Sequence, residues 1–186
     1  MAAQSAMAFL INAVFSLLIA LHWARFIVEW SRVGFRDPIA QGILSFTNPQ
    51  LTPLRGIIPS WRGVGLAAPL MALALSALSI LLIGLIYGLP GPASFALLTL
   101  ASWIDALLML LLIMILVYVI LSFVDRRGEH PISSFLSHLL APLLRPIRQR
   151  VPPLGPLDLS VFILSVLLVF IRILVVGSLQ EMAAGI

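Results

Sequence analysis

The chain has 186 residues, of which 61% are hydrophobic and only 10% charged, and its mean hydropathy is +1.15. A water-soluble domain covers itself with about 25% charged residues, so this composition excludes an ordinary soluble globule and points to a bilayer. Cysteine is absent, which excludes disulfides, thiolate metal sites and cysteine nucleophiles; the net charge of +4 rests on eleven arginines and no lysine and does not signal nucleic-acid binding in so apolar a chain.

A membrane-crossing helix needs about 20 mostly apolar residues. Four runs qualify, at about 6–30, 64–89, 94–123 and 157–179. The first has no basic residue before it and is too long for the apolar part of a cleaved signal peptide. Between the first and second runs lie Arg32, Arg36, Arg55 and Arg62; between the third and fourth lie Arg126, Arg127, Arg145, Arg148 and Arg150. Both tails and the turn Gly88–Pro92 carry no basic residue. The positive-inside rule therefore predicts two cytoplasmic loops, with the termini and the central turn outside, in a bacterial inner membrane.

The second half repeats the first at an offset of 93. Pro38, Pro49, Pro53 and Pro59 fall on Pro131, Pro142, Pro146 and Pro152, and Arg55 falls on Arg148. This predicts an all-α membrane protein of two tandem two-helix repeats, 1–93 and 94–186, each with an amphipathic cytoplasmic loop helix. Each unit has an even number of spans, so the expected relation is a two-fold axis along the membrane normal.

In the second loop, Ile132, Phe135, Leu136, Leu139, Leu140, Leu143 and Ile147 share one helical face, with Ser133, Ser134, Ser137, His138 and Arg145 off it. Pro131 suits the first turn, and Pro142 is expected to bend or end the helix. The first loop repeats the pattern with Ile39, Ile43, Phe46 and Leu54. The X-Pro steps that follow, including Pro53 and Pro146, predict extended chain that fixes Arg55 and Arg148 near the headgroups. These arginines, with Arg145 and the lipid-anchoring Arg126, Arg127 and Arg150, suit anionic headgroups. Arg55 and Arg148 equally suit a fixed tie to a carboxylate or a partner. Asp158 is the candidate carboxylate; its counterpart is Gly65, so the first unit is expected to lack that bond.

Ionisable residues within spans demand a reason. Asp105 lies 10–12 residues into the third run, and its counterpart is Asn12. Arg172, about seven residues from the end of the fourth run, is a candidate partner for Asp105, either as helix–helix glue or as part of an ion relay. Arg25 and Glu29 form an i,i+4 pair. His22 is alone within a span, and His130 and His138 lie in a loop, so no haem ligand pair is found. Glu29, Asp37, Asp125 and Glu129 lie near loop starts, where solvation accounts for them. No nucleophile–base set, carboxylate pair or phosphate loop occurs, so neither an enzyme nor a cofactor is expected.

The motifs "NPQLTPLRGIIPSWRGVGLAAP" and "APLLRPIRQRVPPLGPLDLS" resemble the duplicated signature of the YggT (YlmG-like) family over nearly the whole chain. Gly65 stands where that family usually has Asp, and Ala141 where it usually has Asn. The resemblance implies a bacterial inner-membrane or plastid protein without an established biochemical activity. It also implies links to osmotic and ion stress tolerance, to cytochrome maturation in plastids and to division or nucleoid placement. The expected function is a membrane adaptor or assembly factor working through the arginine-proline loops on a membrane-protein partner. The alternative is an ion or small-solute pathway formed by a homo-oligomer.

Overall fold

A computed structural model describes residues 2–31, 37–56, 58, 60–61, 64–124, 130–151 and 158–185, with backbone alone at Arg55, Ser60, Trp61 and Val64. Seven α-helices carry the described chain: α1 (Ala2–Trp30), α2 (Pro38–Arg55), α3 (Ala67–Tyr87), α4 (Pro92–Val124), α5 (Pro131–Arg148), α6 (Leu159–Ile171) and α7 (Ser178–Ala184). A π-helical turn, Arg172–Gly177, joins α6 to α7 into one rod. Four helices are long and apolar enough to cross a membrane: α1, α3, α4 and the α6–α7 rod. The first run starts four residues earlier than its hydropathy suggested and the last continues to Ala184. Small and polar end residues carry little hydropathy but still propagate an established helix. A two-rung antiparallel ribbon, Ser60–Trp61 with Val64–Gly65, precedes α3 and takes the first residues of the predicted second span.

Among the described helices, α1 and α3 pack most extensively against each other. α3 presents Ala68, Ala72, Ser76 and Ser79, all buried, at near-helical-repeat spacing that brings them to one face. Small side chains let two backbones approach, which is how apolar helices associate when lipid offers no hydrophobic gain. Trp23 of α1 seals the pair and ties in α4. Its indole N–H donates to the Trp103 carbonyl at 3.0 Å, and the Trp103 indole donates to the Pro69 carbonyl at 2.9 Å. Between α3 and α4 the chain turns at Gly88, whose φ of +118° is open to glycine and strained for other residues.

The two loop helices lie at the same end of the bundle. Phe135, Leu136, Leu139, Leu140 and Leu144 of α5 are buried in one cluster with Ile27 and Val28 of α1, Ala40 of α2, Met114 and Ile115 of α4 and Val161 of α6. The expected face is rotated slightly at its start, since Ile132 is exposed and Ser133 buried. Both helices begin with a capped proline turn: Asp37 accepts from Ile39 and Ala40 N–H, and His130 accepts from Ile132 N–H. Asp37 thus has a structural task that solvation alone did not suggest.

The prolines break the expectation. Neither Pro49 and Pro53 nor Pro142 and Pro146 end their helices, so the motif is helical, not extended, through Arg55 and through Arg148; Pro59 and Pro152 lie outside the described residues. Prolines four apart stack their missing N–H groups on one face. Pro49, Pro53 and Pro146 are exposed and Pro142 half-buried. The carbonyls they leave unpaired can therefore find other partners, and the helix continues past both prolines.

Candidate functional site

Two polar constructions hold the loop helices, and a third lies mid-span. In the first unit the hub is Arg25, only 2% exposed. Its Nε donates to Glu29 Oε1 at 2.7 Å, and its Nη1 donates to Thr47 Oγ1 at 2.8 Å, Asn48 Oδ1 at 2.9 Å and the Leu44 carbonyl at 3.2 Å. A buried guanidinium needs this many acceptors to offset its desolvation, and its planar fork can address several at once. The sequence reading saw only the i,i+4 pair with Glu29; the Asn-Pro step of the loop motif was the available signal that the loop presents acceptors.

Glu29 does more than pair. Its Oε2 accepts the Gly65 N–H at 2.9 Å, just before α3. A Cβ on Gly65 would lie 2.8 Å from that oxygen, so this carboxylate occupies the space a side chain at 65 would need. Arg55 ends α2, and its side chain lies outside the described residues, as do Arg32, Arg36, Arg62, Asp125, Arg126, Arg127 and Glu129.

In the second unit the equivalent connection is built from the loop side. Arg148, the last residue of α5, donates from Nε and Nη2 to Asp158 Oδ2 at 2.9 and 2.5 Å, and from Nη2 to Tyr118 Oη at 3.3 Å. Asp158 Oδ1 meanwhile caps α6 by accepting Ser160 N–H at 3.0 Å. Each carboxylate oxygen thus has its own task, and the negative charge sits at the helix N-terminus that favours it. Partial burial pulls the Arg148 pKa down, but its hydrogen bonds to Tyr118 and Asp158 outweigh that and hold it above the ordinary arginine value. Pro53, Pro146, Arg145 and Arg150 are exposed and stand outside these bonds.

Mid-span, Arg172 Nε donates to Asp105 Oδ1 at 2.6 Å and Nη2 to Oδ2 at 3.4 Å. Asp105 lies thirteen residues into α4 and Arg172 twelve residues before Ala184, so both are nearer the middle of their helices than the run lengths suggested. Arg172 opens the π-helical turn, a local widening that the sequence did not announce and that often accompanies functional side chains. Asp105 of this pair lines a cavity of about 280 Å³, with Asn12 and Ser16 of α1, Ser79 of α3 and Ser102 of α4 among mostly apolar neighbours. Asn12 and Asp105 therefore share one cavity at the junction of the two units.

His22 is fully buried; its Nδ1 bonds the Leu18 carbonyl at 2.7 Å, and its Nε2 has no partner among the described residues. Among the described residues no three His, Asp or Glu side chains converge as metal ligands.

A family model described as CCB3/YggT matches the chain twice, at residues 4–86 and 97–179, two segments of equal length displaced by the offset that the prolines show. A protein of Vibrio alginolyticus described as an uncharacterised protein in the proC 3' region is 36% identical over 174 residues, 92% of this chain and 94% of its own. The uncharacterised protein YggT of Escherichia coli K12 is 34% identical over 178 residues, 95% of this chain and 93% of its own. No solved structure matches. With a repeated family match over most of its length and relatives of this similarity, the chain belongs to the CCB3/YggT family of membrane proteins.

Proposed function

We propose that this protein is a non-enzymatic adaptor or assembly factor of the inner membrane, offering two preformed loop helices at the cytoplasmic side to a membrane-protein partner. The observation that carries this reading is the fixing of both helices at one end of the bundle, by the Arg25 hub and by the Arg148–Asp158–Tyr118 bond. Their outward faces remain available. On α5, Ser134, His138, Ala141 and Arg145 form one exposed stripe; on α2, Gln41, Gly42, Ser45 and Phe46 are exposed. A rigid surface loses little entropy on docking, which suits recognition rather than catalysis.

The test is native extraction at endogenous expression, followed by the mass of the intact particle. A stoichiometric second protein that is lost from an Arg55→Ala, Arg148→Ala double variant supports the adaptor. Undiminished recovery with the variant overturns the loop mechanism. Because the chain has no cysteine, a single Ser134→Cys reports orientation directly. An impermeant maleimide applied from outside should leave it unlabelled until the membrane is opened.

A second reading, an ion or small-solute pathway formed by an oligomer, draws on the cavity in whose mostly apolar wall Asn12, Ser79 and Asp105 stand. Sites at the midplane between repeats are a transporter feature. It requires flux in liposomes that Asp105→Asn changes; flux equal to that of empty vesicles removes it.

A further inference from the structure

The two units differ in how their spanning pair closes. Ile19, Trp23, Ala68 and Ala72 close the α1–α3 seam in the first unit. Their counterparts Leu112, Leu116, Val161 and Ser165 line an open groove of about 490 Å³ between α4 and α6. Leu116 is 58% exposed where Trp23 is 4%. The groove extends along α4 to Phe123 and ends at Tyr118, Ser122 and Asp158. Arg148 bonds both Tyr118 and Asp158 there, and its Nη1 makes no bond among the described residues. Arg145 lies one turn earlier on α5, exposed.

We propose that this groove holds one acyl chain of an anionic phospholipid, with the phosphate received by Arg148 and Arg145 at its polar end. Length and lining suit an acyl chain. From Leu112 to Phe123 the groove runs about 16 Å at 1.5 Å per residue. That equals one leaflet of the hydrocarbon core, about 15 Å, and the lining is apolar apart from Tyr118, Ser122, Asp158 and Ser165, so an acyl chain suits both its length and its walls. Charge decides the headgroup. The Asp158 charge is already matched by one guanidinium, so Arg145, exposed one turn before Arg148 on the same helix, adds positive charge in excess, and a phosphate is the anion a bilayer offers there. The site does not depend on whether the loop helices recruit a protein.

The experiment is native mass spectrometry of the detergent-purified full chain, titrated with phosphatidylglycerol or phosphatidylcholine. One phosphatidylglycerol should be retained per chain, in preference to phosphatidylcholine. Leu116→Trp, which imports the first unit's residue, should weaken retention by at least about tenfold, the equivalent of two buried methylenes. Ser165→Phe fills the groove from the other wall and should do the same, so the result does not hang on one variant's folding; thermal midpoints check both. Arg145→Gln should reduce the preference for phosphatidylglycerol about fivefold while leaving phosphatidylcholine unchanged. Equal retention in folded Leu116→Trp and Ser165→Phe overturns the proposal. So does displacement of the lipid by inorganic phosphate alone, or a dimer that Leu116→Trp dissociates.

Discussion

The two repeats solve one problem, tying a loop helix to the start of the next span, with exchanged parts. In the first unit the cation comes from the span, Arg25 of α1, and the acceptors Thr47 and Asn48 come from the loop helix. In the second unit the cation comes from the loop helix, Arg148, and the acceptors are Tyr118 of the span and Asp158 at the head of α6. Tyr118 is the repeat counterpart of Arg25, and Ala141 that of Asn48. The two departures from the family pattern, Gly65 and Ala141, are thus the two sides of this exchange. Where the first unit lacks an aspartate, Glu29 brings a carboxylate from α1 to the same backbone position. Duplicated sequences keep the connection and let its residues move.

The exchange is broken most severely at its buried end. Arg25→Met keeps the stem but leaves Glu29, Thr47 and Asn48 without their cation, and removing one side of a buried ionic network costs about 3 kcal/mol or more. The expected result is a large fall in the thermal midpoint of the detergent-solubilised protein, against a small one for the exposed Arg145→Met. Gly65→Asp comes next. Restoring the family residue places a side chain against Glu29 Oε2, 2.8 Å from the new Cβ, and sets two carboxylates together, at about 2 kcal/mol. Glu29→Ser, which copies Ser122, should rescue it. Additive costs in the double-mutant cycle would show that Glu29 is not standing in for the aspartate.

The mid-span polar residues sharpen the same contrast. Asp105 and Arg172 correspond to Asn12 and Ser79, so one unit carries an ion pair where the other carries two neutral groups. Asp105→Asn or Arg172→Ser alone should cost about 1–2 kcal/mol, because each strands a charge in an apolar span. The double variant rebuilds the first unit's pair and should cost less than either single change. A double variant worse than both singles would mean that the charges do more than join α4 to the α6–α7 rod. Asp158→Ala is expected to be milder, about 1 kcal/mol, since it removes a helix cap. Its bond to Arg148 adds little, because the two side chains are 31% and 43% exposed and solvent screens them.

Much of this was legible because periodicity and hydropathy are local. The four spans, the loop helices and the tandem arrangement follow from run length, proline offsets and the spacing of Leu136, Leu139 and Leu140. The Asp105–Arg172 and Arg148–Asp158 distances join residues that charge economy alone had singled out. What escaped is non-local. Arg25 read as one half of an i,i+4 pair because nothing in α1 records that Thr47 and Asn48 fold back over it. The groove beside Leu116 was invisible because an exposed and a buried leucine look alike in a spanning run. Arg172 gave no sign of its π-helical turn, which leaves no residue signature in "RILVVG".

The proline motif tests the remaining error. If Pro146 were a hinge that ends α5 and starts extended chain, replacing it would lengthen the helix and pull Arg148 out of reach of Asp158. The structure has α5 already helical through Pro146 to Arg148. Pro146→Ala then restores one backbone donor to an existing turn and gives up proline's restriction of the unfolded chain, two terms of opposite sign and each under about 1 kcal/mol. The expected thermal midpoint is unchanged within about 0.5 kcal/mol, and the small coupling between Arg148 and Asp158 in a double-mutant cycle is retained, because the guanidinium has not moved. Loss of that coupling in Pro146→Ala would show instead that the proline sets the position of Arg148. The pairing of the loop helix with α6 would then depend on its backbone bend as much as on its charge.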